Sequence, residues 1–554
     1  MQGMDRKPFE RTFDFMKQEY QKWEPTYKEL SKYIDPERGF FDGQITNDPN
    51  VGIDYKILLN STPTDSVQTL AAGMRGGLTS PALPWFRLGV SDPDLSEYQA
   101  VRMYLDDVQQ ILFDIYAKSN FYDVMYSLYE ELGTFGTAAV IIEEDYKTTI
   151  RCRCFTAGEY YLGTGADGRV NSFARIIQMN ALQMVRKFGI DNVSESVKTA
   201  YDNSTFTTMF SAYHLIEEND DRIEGRKDFK NMLYRSIYWE PGSTADTYLR
   251  IGGYQEFPII APRWDIVAND IYGKNNPGRR GLGDSRELQT AEEQYLIALD
   301  KVINPPVQKS SSTDMVNALP GGISTYGQTE NQKIIPVYQI SPPLQEIEQR
   351  ISTIEGRIKA KFYTDIFLML QSTLDDPRKT ATEIIELKQE KMQILGPVLE
   401  RIFGEGLNPG MERTFNIANR VGRLPEPPKE IQGMELKIEY TSLLAMAQKA
   451  SSITTIQQTA TFVMSIAGAY PDVVDKFDAD EAVDQIAEMN GTPPKVVRSD
   501  EDVAKIRQQK HQAQQAAAQM QALDQVANSA KTLSGADLGS NNALTALMGG
   551  GTQR

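Results

Sequence analysis

Apolar residues recur three and four positions apart at the start of the chain: Phe9, Phe13, Met16, Tyr20, Trp23, Tyr27 and Leu30 all fall within 9–34. That spacing lines one face of a helix, and Pro36 and Gly39 supply its stop. Further helices are predicted over 64–79 and 98–133, the second interrupted at Asn120, with the extended stretch SPALPWFRLGV between them. The period then drops to two. GTAAVIIEE, RCRCFTAGEYYLGT, RVNSFARIIQM, MLYRSIYWE and TYLRIGGYQEFPIIAPRWDIV read as strands, so the first half is an α+β domain.

Helical spacing returns from about 281 to 303 behind an Asp/Ser cap, with Leu288, Ala291, Tyr295, Ala298 and Val302 on one face. Residues 304–343 carry short strands and many turn formers. Over 344–370, Ile347, Ile351, Ile354, Ile358, Phe362 and Ile366 form a nearly heptad-spaced stripe on a helix roughly 40 Å long. Two helices enclosing a compact excursion predict a protruding arm, and a helix of that kind packs against a surface outside its own fold.

A third long helix starts at a capping box, Thr380 with Glu383, and keeps its apolar spacing through Leu395. Gly396 and Pro397 predict a bend there, because proline removes a backbone donor and crowds the carbonyl one turn back. After the Pro-rich segment RLPEPPKE comes a strand, IQGMELKIEYTS. Residues 443–490 are helical, with Asp478 or Asp480 able to cap the helix that follows. A Gln/Ala-rich helix with the weak apolar stripe Val503, Ile506, Met520 and Leu523 runs from 500 to about 530, and a Gly/Ser-rich tail ends the chain.

Composition narrows the function more by exclusion than by assertion. The 554 residues carry a formal charge of −17, which argues against a protein that grips nucleic acid by neutralising many phosphates. It does not exclude one that lets nucleic acid pass without sticking, since like charge weakens adhesion. The two cysteines, Cys152 and Cys154, share a strand face and read as reduced core residues. The apolar run FYTDIFLML is half the length of a membrane span and no apolar leader opens the sequence, so a soluble, cytoplasmically made protein without membrane association is expected.

Catalytic signatures are missing. The histidines are His214 and His511, and no Gly-x-Ser-x-Gly, HExxH or Walker A pattern occurs. GTGADG (Gly163, Gly165, Gly168) matches a dinucleotide fingerprint in letters but is followed by a strand, which makes it a β-hairpin turn. Acidic pairs such as Asp92 with Asp94 and Asp478 with Asp480 are explained as turns and caps. No catalytic, metal or cofactor site is expected.

Several stretches taken together resemble a known family. Trp23 to Pro36, LNSTPTDSVQTLAAGMRGGLTSPALPWFRL, SNFYDVMYSLYEELGTFGTAAVIIEED, TATE with LGPVLERIFGEGLNPGMERTF, and GRLPEPP with SLLAMAQKA resemble, in order over roughly 9–450, the head-to-tail connector (portal) family of short-tailed bacteriophages. The resemblance implies a mainly helical α+β, portal-type subunit that is not an enzyme. It implies a dodecameric ring in the virion, at one capsid vertex, through which double-stranded DNA is packaged and ejected without sequence specificity. The terminase large subunit docks first and tail adaptor and tail tube proteins later, with major capsid and scaffold proteins as further partners.

Transferred onto this chain, the wing spans 1–283, the stem helices 284–303 and 344–370, and the clip 304–343. The channel loop spans 371–382, the kinked wing helix and return strand 383–440, the crown 441–499, the barrel helix 500–530 and the flexible tail 531–554. Stem packing falls to Leu288, Tyr295, Ile347, Ile351, Ile354, Ile358 and Phe362, and partner binding to the clip residues Asn304, Pro305, Pro306, Tyr326, Ile334 and Tyr338. In the channel loop, Gln371 to Thr382, Arg378 and Lys379 would be the DNA-proximal cations, balanced by Asp375 and Asp376 and followed by Thr380. The rival readings are another virion structural, scaffold or internal core protein, and an enzyme with an unfamiliar carboxylate site.

Overall fold

The computed structural model describes residues 5–41, 58–90, 92, 95, 98–223, 225–226, 228–242, 247–303, 307–308, 335–336, 343–372, 395–434, 436–441, 456–468, 470–489 and 500–534. Its first departure from the sequence pattern comes early. The helix expected over 9–34 is two, Lys7–Gln21 and Glu24–Tyr33, because Pro25 in the first turn of the second cannot supply the N–H that would continue the first.

Strand β1 is Phe86–Val90, followed by β2 (Ala139–Asp145), β3 (Thr149–Phe155), β4 (Tyr160–Thr164), β5 (Val170–Asn180), β6 (Met209–Glu218), β7 (Tyr234–Trp239), β8 (Arg250–Tyr254) and β9 (Ile259–Ile260). An antiparallel sheet runs β4-β5-β6-β7-β8 and a smaller one β3-β2-β9. Strand β6, with no counterpart among the predicted strands, pairs with both β5 and β7 at the middle of the larger sheet.

One face of that sheet is closed by the 7–21 helix. Phe13 stacks on Tyr213 at 4.6 Å and meets Tyr161 and Trp239 edge-on at 5.7 and 5.6 Å. Such pairs add about 0.5–1.5 kcal/mol each beyond the area they bury. GTGADG turns β4 into β5. The Gly165 N–H donates to the Arg169 carbonyl at 2.9 Å and Gly168 takes φ +76°, so a hairpin stands where a nucleotide site would need a helix start. Cys152 and Cys154 are free, and burial raises both thiols, Cys152 to about 12, so neither is a nucleophile at neutral pH.

The arm helices also differ from expectation. The first runs Pro277–Ile303, starting before the expected Asp284/Ser285 cap, and both of those residues are buried inside it. Asn276 anchors the start, donating from Nδ2 to the carbonyls of Gly133 and Thr134 at 2.9 and 2.7 Å. Gly278 then passes so close to the Phe121–Phe135 helix that a Cβ there would lie 2.3 Å from the Thr134 oxygen. Gly278→Ala is therefore expected to cost about 1–3 kcal/mol through the backbone shift it forces, read as a lower midpoint in urea unfolding.

The second helix stops at Lys361, and a separate helix occupies Thr364–Ser372, so the helix expected over 344–370 is broken. Tyr363 sits between them at φ +56°, its ring stacked on Trp264 at 6.3 Å, while Phe362 is buried against Gly281. At 1.5 Å per residue the 344–361 piece is about 27 Å long, two-thirds of the expected length.

Beyond the arm, a short β10 (Val307–Gln308) pairs antiparallel with β11 (Ile335–Pro336). A continuous helical stretch over 395–420 contains a π-helical segment, Ile402–Leu407. Strand β12 (Leu436–Tyr440) returns to pair with β1. Asp478 caps Ala479–Met489, accepting from the N–H groups of Asp480 and Glu481 at 3.1 Å each, and the last helix runs Asp500–Ser534.

Candidate functional site

The two helices of the arm are antiparallel, as their ion pairs show. Glu287 accepts from Arg350 Nε at 3.0 Å and from Arg357 at 2.9 Å, while one turn earlier Asp284 pairs with Lys361 and, at 3.5 Å, with Arg357. The exposed pairs of Glu287 contribute roughly 0.2–1 kcal/mol each, so they set the register more than they hold it. Apolar packing holds it. Leu288, Ile351, Ile354, Ile358 and Phe362 are buried, and Tyr295 and Ile347 are half-buried against the same core.

The base of the arm is pinned to the body by a hydrogen-bonded clasp. Gln289 Oε1 accepts from the N–H groups of Leu59 and Asn60 at 2.7 and 3.0 Å, and its Nε2 donates to the Asn60 carbonyl at 2.8 Å. Asn60 Nδ2 in turn reaches Glu292 on one arm helix and Glu355 on the other, both at 2.8 Å. Arg286 pairs with Glu29 and lies over the Tyr33 ring. Towards the tip the first helix turns apolar side chains to solvent: Leu296, Ile297, Val302 and Ile303 are all exposed. These four side chains are apolar surface on the described part of the arm.

The other predicted site residues are placed less fully. Of the channel-loop residues, Gln371 lies in the last turn of the 364–372 helix, while Asp375, Asp376, Arg378, Lys379, Thr380 and Glu383 fall outside the described residues. So do the clip residues Asn304, Pro305, Pro306, Tyr326, Ile334 and Tyr338. Gly396 and Pro397 lie in the first turn of the described 395–420 stretch, and the segment a bend would join them to, 383–394, is outside it.

The distortion that the described residues do contain is the π-helical segment, and the sequence reading missed it. Its signal in the sequence is the glycine and proline cluster FGEGLNPG. Glu405 within it is gripped by Arg263, whose Nε and Nη2 donate to the two carboxylate oxygens at 3.0 Å each while its backbone N–H adds a third bond at 3.1 Å. Nη2 also donates to the Gly168 carbonyl at 2.9 Å. Arg263 is 2% exposed, and it joins the 164–170 hairpin to the long helix.

A second buried polar group lies beneath the 121–135 helix. Arg38 donates to Glu130, to Glu131 at 3.5 Å and to Ser127 at 3.2 Å, and the Ala157 N–H donates to Glu131 at 3.1 Å. Burial pushes the Glu131 carboxyl up to about 8 and the Asp35 carboxyl up to about 7, with Arg38 opposing in both cases. Glu131 is therefore mostly neutral at pH 7, and its contact with Arg38 is a hydrogen bond to a carboxylic acid more than an ion pair. Among the described residues no set of three or more His, Cys, Asp or Glu is placed to hold a metal, and no helix is long and apolar enough to cross a membrane.

Residues 6–497 match the model of a family described as bacteriophage head to tail connecting protein. The chain belongs to that family. It is 39% identical over 534 residues to a probable portal protein of Bordetella phage BPP-1, covering 96% of this chain and 95% of the relative. To the portal protein of Salmonella phage epsilon15 it is 38% identical over 537 residues, 96% of either chain. A chain of the neck of an empty gene transfer agent particle is similar at TM-score 0.36 and 10% identity, over 75% of this chain and 91% of that one, and nothing is argued from it.

Proposed function

We propose that this chain is the portal subunit of a short-tailed phage: a virion component that assembles as a twelve-membered ring at one capsid vertex and forms the channel for genome packaging and ejection. The observation that carries the reading is identity of 38–39% to two phage portal proteins over 96% of the chain. The arm supports it, since its exposed apolar stripe, Leu296 to Ile303, is what a neighbouring copy in a ring would cover.

In this reading 277–303 and 344–361 are the stem, 304–343 is the clip that receives the terminase and then the tail proteins, and 371–382 faces the DNA. Arg378 and Lys379 among Asp375 and Asp376 give that loop no net charge, so phosphates meet shallow wells and slide. The subunit works by shape and assembly, with no bond made or broken. Negative-stain electron microscopy of the purified protein tests this: class averages down the axis are expected to show twelve-fold rings with a central hole, and compact monomers at every concentration would overturn it.

A further inference from the structure

One row of residues crosses the larger sheet from edge to edge on a single face: Tyr160, Arg175, His214, Tyr238 and Arg250, each directly opposite the next. The other face carries Tyr161, Tyr213 and Trp239 and is closed by the N-terminal helix. On the row's own face, Phe173 and Ile216 to one side belong to the main core. Met179 and Ala212 to the other side belong to a separate cluster under the 181–188 helix. The row is thus a polar seam between two apolar clusters.

The seam is cationic and under-compensated. Arg175 is 7% exposed; its Nε donates to His214 Nδ1 at 3.2 Å, and its guanidinium lies 4.8 Å from the Phe155 ring centre. His214 then presents its Nε2 to Ser236 Oγ at 2.9 Å and stacks flat on Tyr238 at 3.8 Å. Burial, and after it Arg175, Lys187 and Arg250, hold the imidazole well below its ordinary range, so it stays neutral and lends the arginine no negative charge.

Lys187 reaches in from the 181–188 helix and places its ammonium 5.1 Å from the Tyr238 ring centre. Although the side chain as a whole is exposed, burial of its end and the nearby Arg175 pull the amine down to about 8. Among the described residues neither Arg175, Lys187 nor Arg250 makes an ion pair with a carboxylate. Glu143 on β2 raises the Lys187 amine without contacting it, and the neighbouring Arg153 is already paired with Glu159 at 3.2 Å.

A buried guanidinium without a carboxylate is costly, and an anion arriving from outside would offset that cost. We propose that this seam is a docking site for a carboxylate presented by an acidic segment of another protein, seated on Arg175 and flanked by Lys187 and Arg250. Clustering favours that partner over duplex DNA: Arg175, Lys187 and Arg250 all act on the one buried imidazole of His214, whereas a phosphate backbone is followed by cations strung along a groove. The site lies in the sheet and not in the arm, so it stands or falls independently of ring formation.

The test uses the amine itself. Acylation of full-length protein at pH 7 with an amine-directed reagent, read by peptide mass spectrometry, is expected to label Lys187 faster than Lys510 on the exposed C-terminal helix. A docked carboxylate favours the protonated amine, and each pKa unit regained slows acylation about tenfold. Poly-glutamate should therefore protect Lys187 roughly tenfold and Lys510 hardly at all, and Arg250→Gln, a surface change, should weaken that protection. Equal protection of both lysines, protection unchanged in Arg250→Gln, or stronger protection by duplex DNA at matched charge would overturn the proposal.

Discussion

Replacing Arg263 with Met should cost about 3 kcal/mol in chemical unfolding, because the partly buried Glu405 carboxylate loses its two bonds from the Arg263 guanidinium and keeps only the backbone N–H and Arg401 at 3.4 Å. The loss reaches further than one ion pair. Arg263 also holds the Gly168 carbonyl, so the hairpin between β4 and β5 loses its tie to the 395–420 stretch, and the π-helical segment loses the contact that fixes its extra residue. Adding Glu405→Leu to Arg263→Met should recover part of the stability by removing a carboxylate that Arg401 alone pairs with. If Arg263→Met alone unfolds at the wild-type midpoint, the grip on Glu405 contributes nothing.

Changing Glu131 to Gln should flatten the pH dependence of stability. Glu131 and Asp35 are ionised above about 4 in the unfolded chain but hold their protons to about 8 and 7 when folded. Between those limits the folded state binds more protons than the unfolded one, so stability falls as pH rises from about 4 to 8 and levels off above. Each unit of difference amounts to about 1.4 kcal/mol, which makes this among the steepest pH terms in the protein. Gln keeps an acceptor for the Ala157 N–H and has no proton to lose. Unfolding measured from pH 5 to 9 should show the wild type declining by several kcal/mol and the variant by clearly less; parallel curves would refute the assignment.

Both sites show what the sequence could and could not reveal. The element types were readable wherever one period dominated: Phe9, Phe13, Met16 and Tyr20 are all buried, and of the stripe Ile347 to Ile366 all but the half-buried Ile347 are buried, although the helix breaks before Ile366. The errors fall where one backbone residue overrides the pattern, as Pro25 does in the first helix pair and Tyr363 does after the second arm helix. Strand β6 escaped because TMFSAYHLIEE mixes polar residues into both of its faces, and its place is set by neighbours on either side. Arg38 and Glu131 lie far apart along the chain, and so do Arg263 and Glu405. Periodicity carries no information about such pairs.

The pairing of β1 with β12 has a consequence for synthesis. Phe86 lies opposite Tyr440, so the strand made early waits with an open edge while the sheets, the arm and the long helix are translated. The Thr62–Leu78 helix waits too, for Phe367 to close over Gly73. At about 5–20 residues per second the gap lasts tens of seconds, a period in which an unpaired edge on a crowded ribosome can recruit the wrong strand. The body of this protein is therefore completed from its last third backwards, and a chain cut before residue 440 is expected to leave the β1 edge open and aggregation-prone.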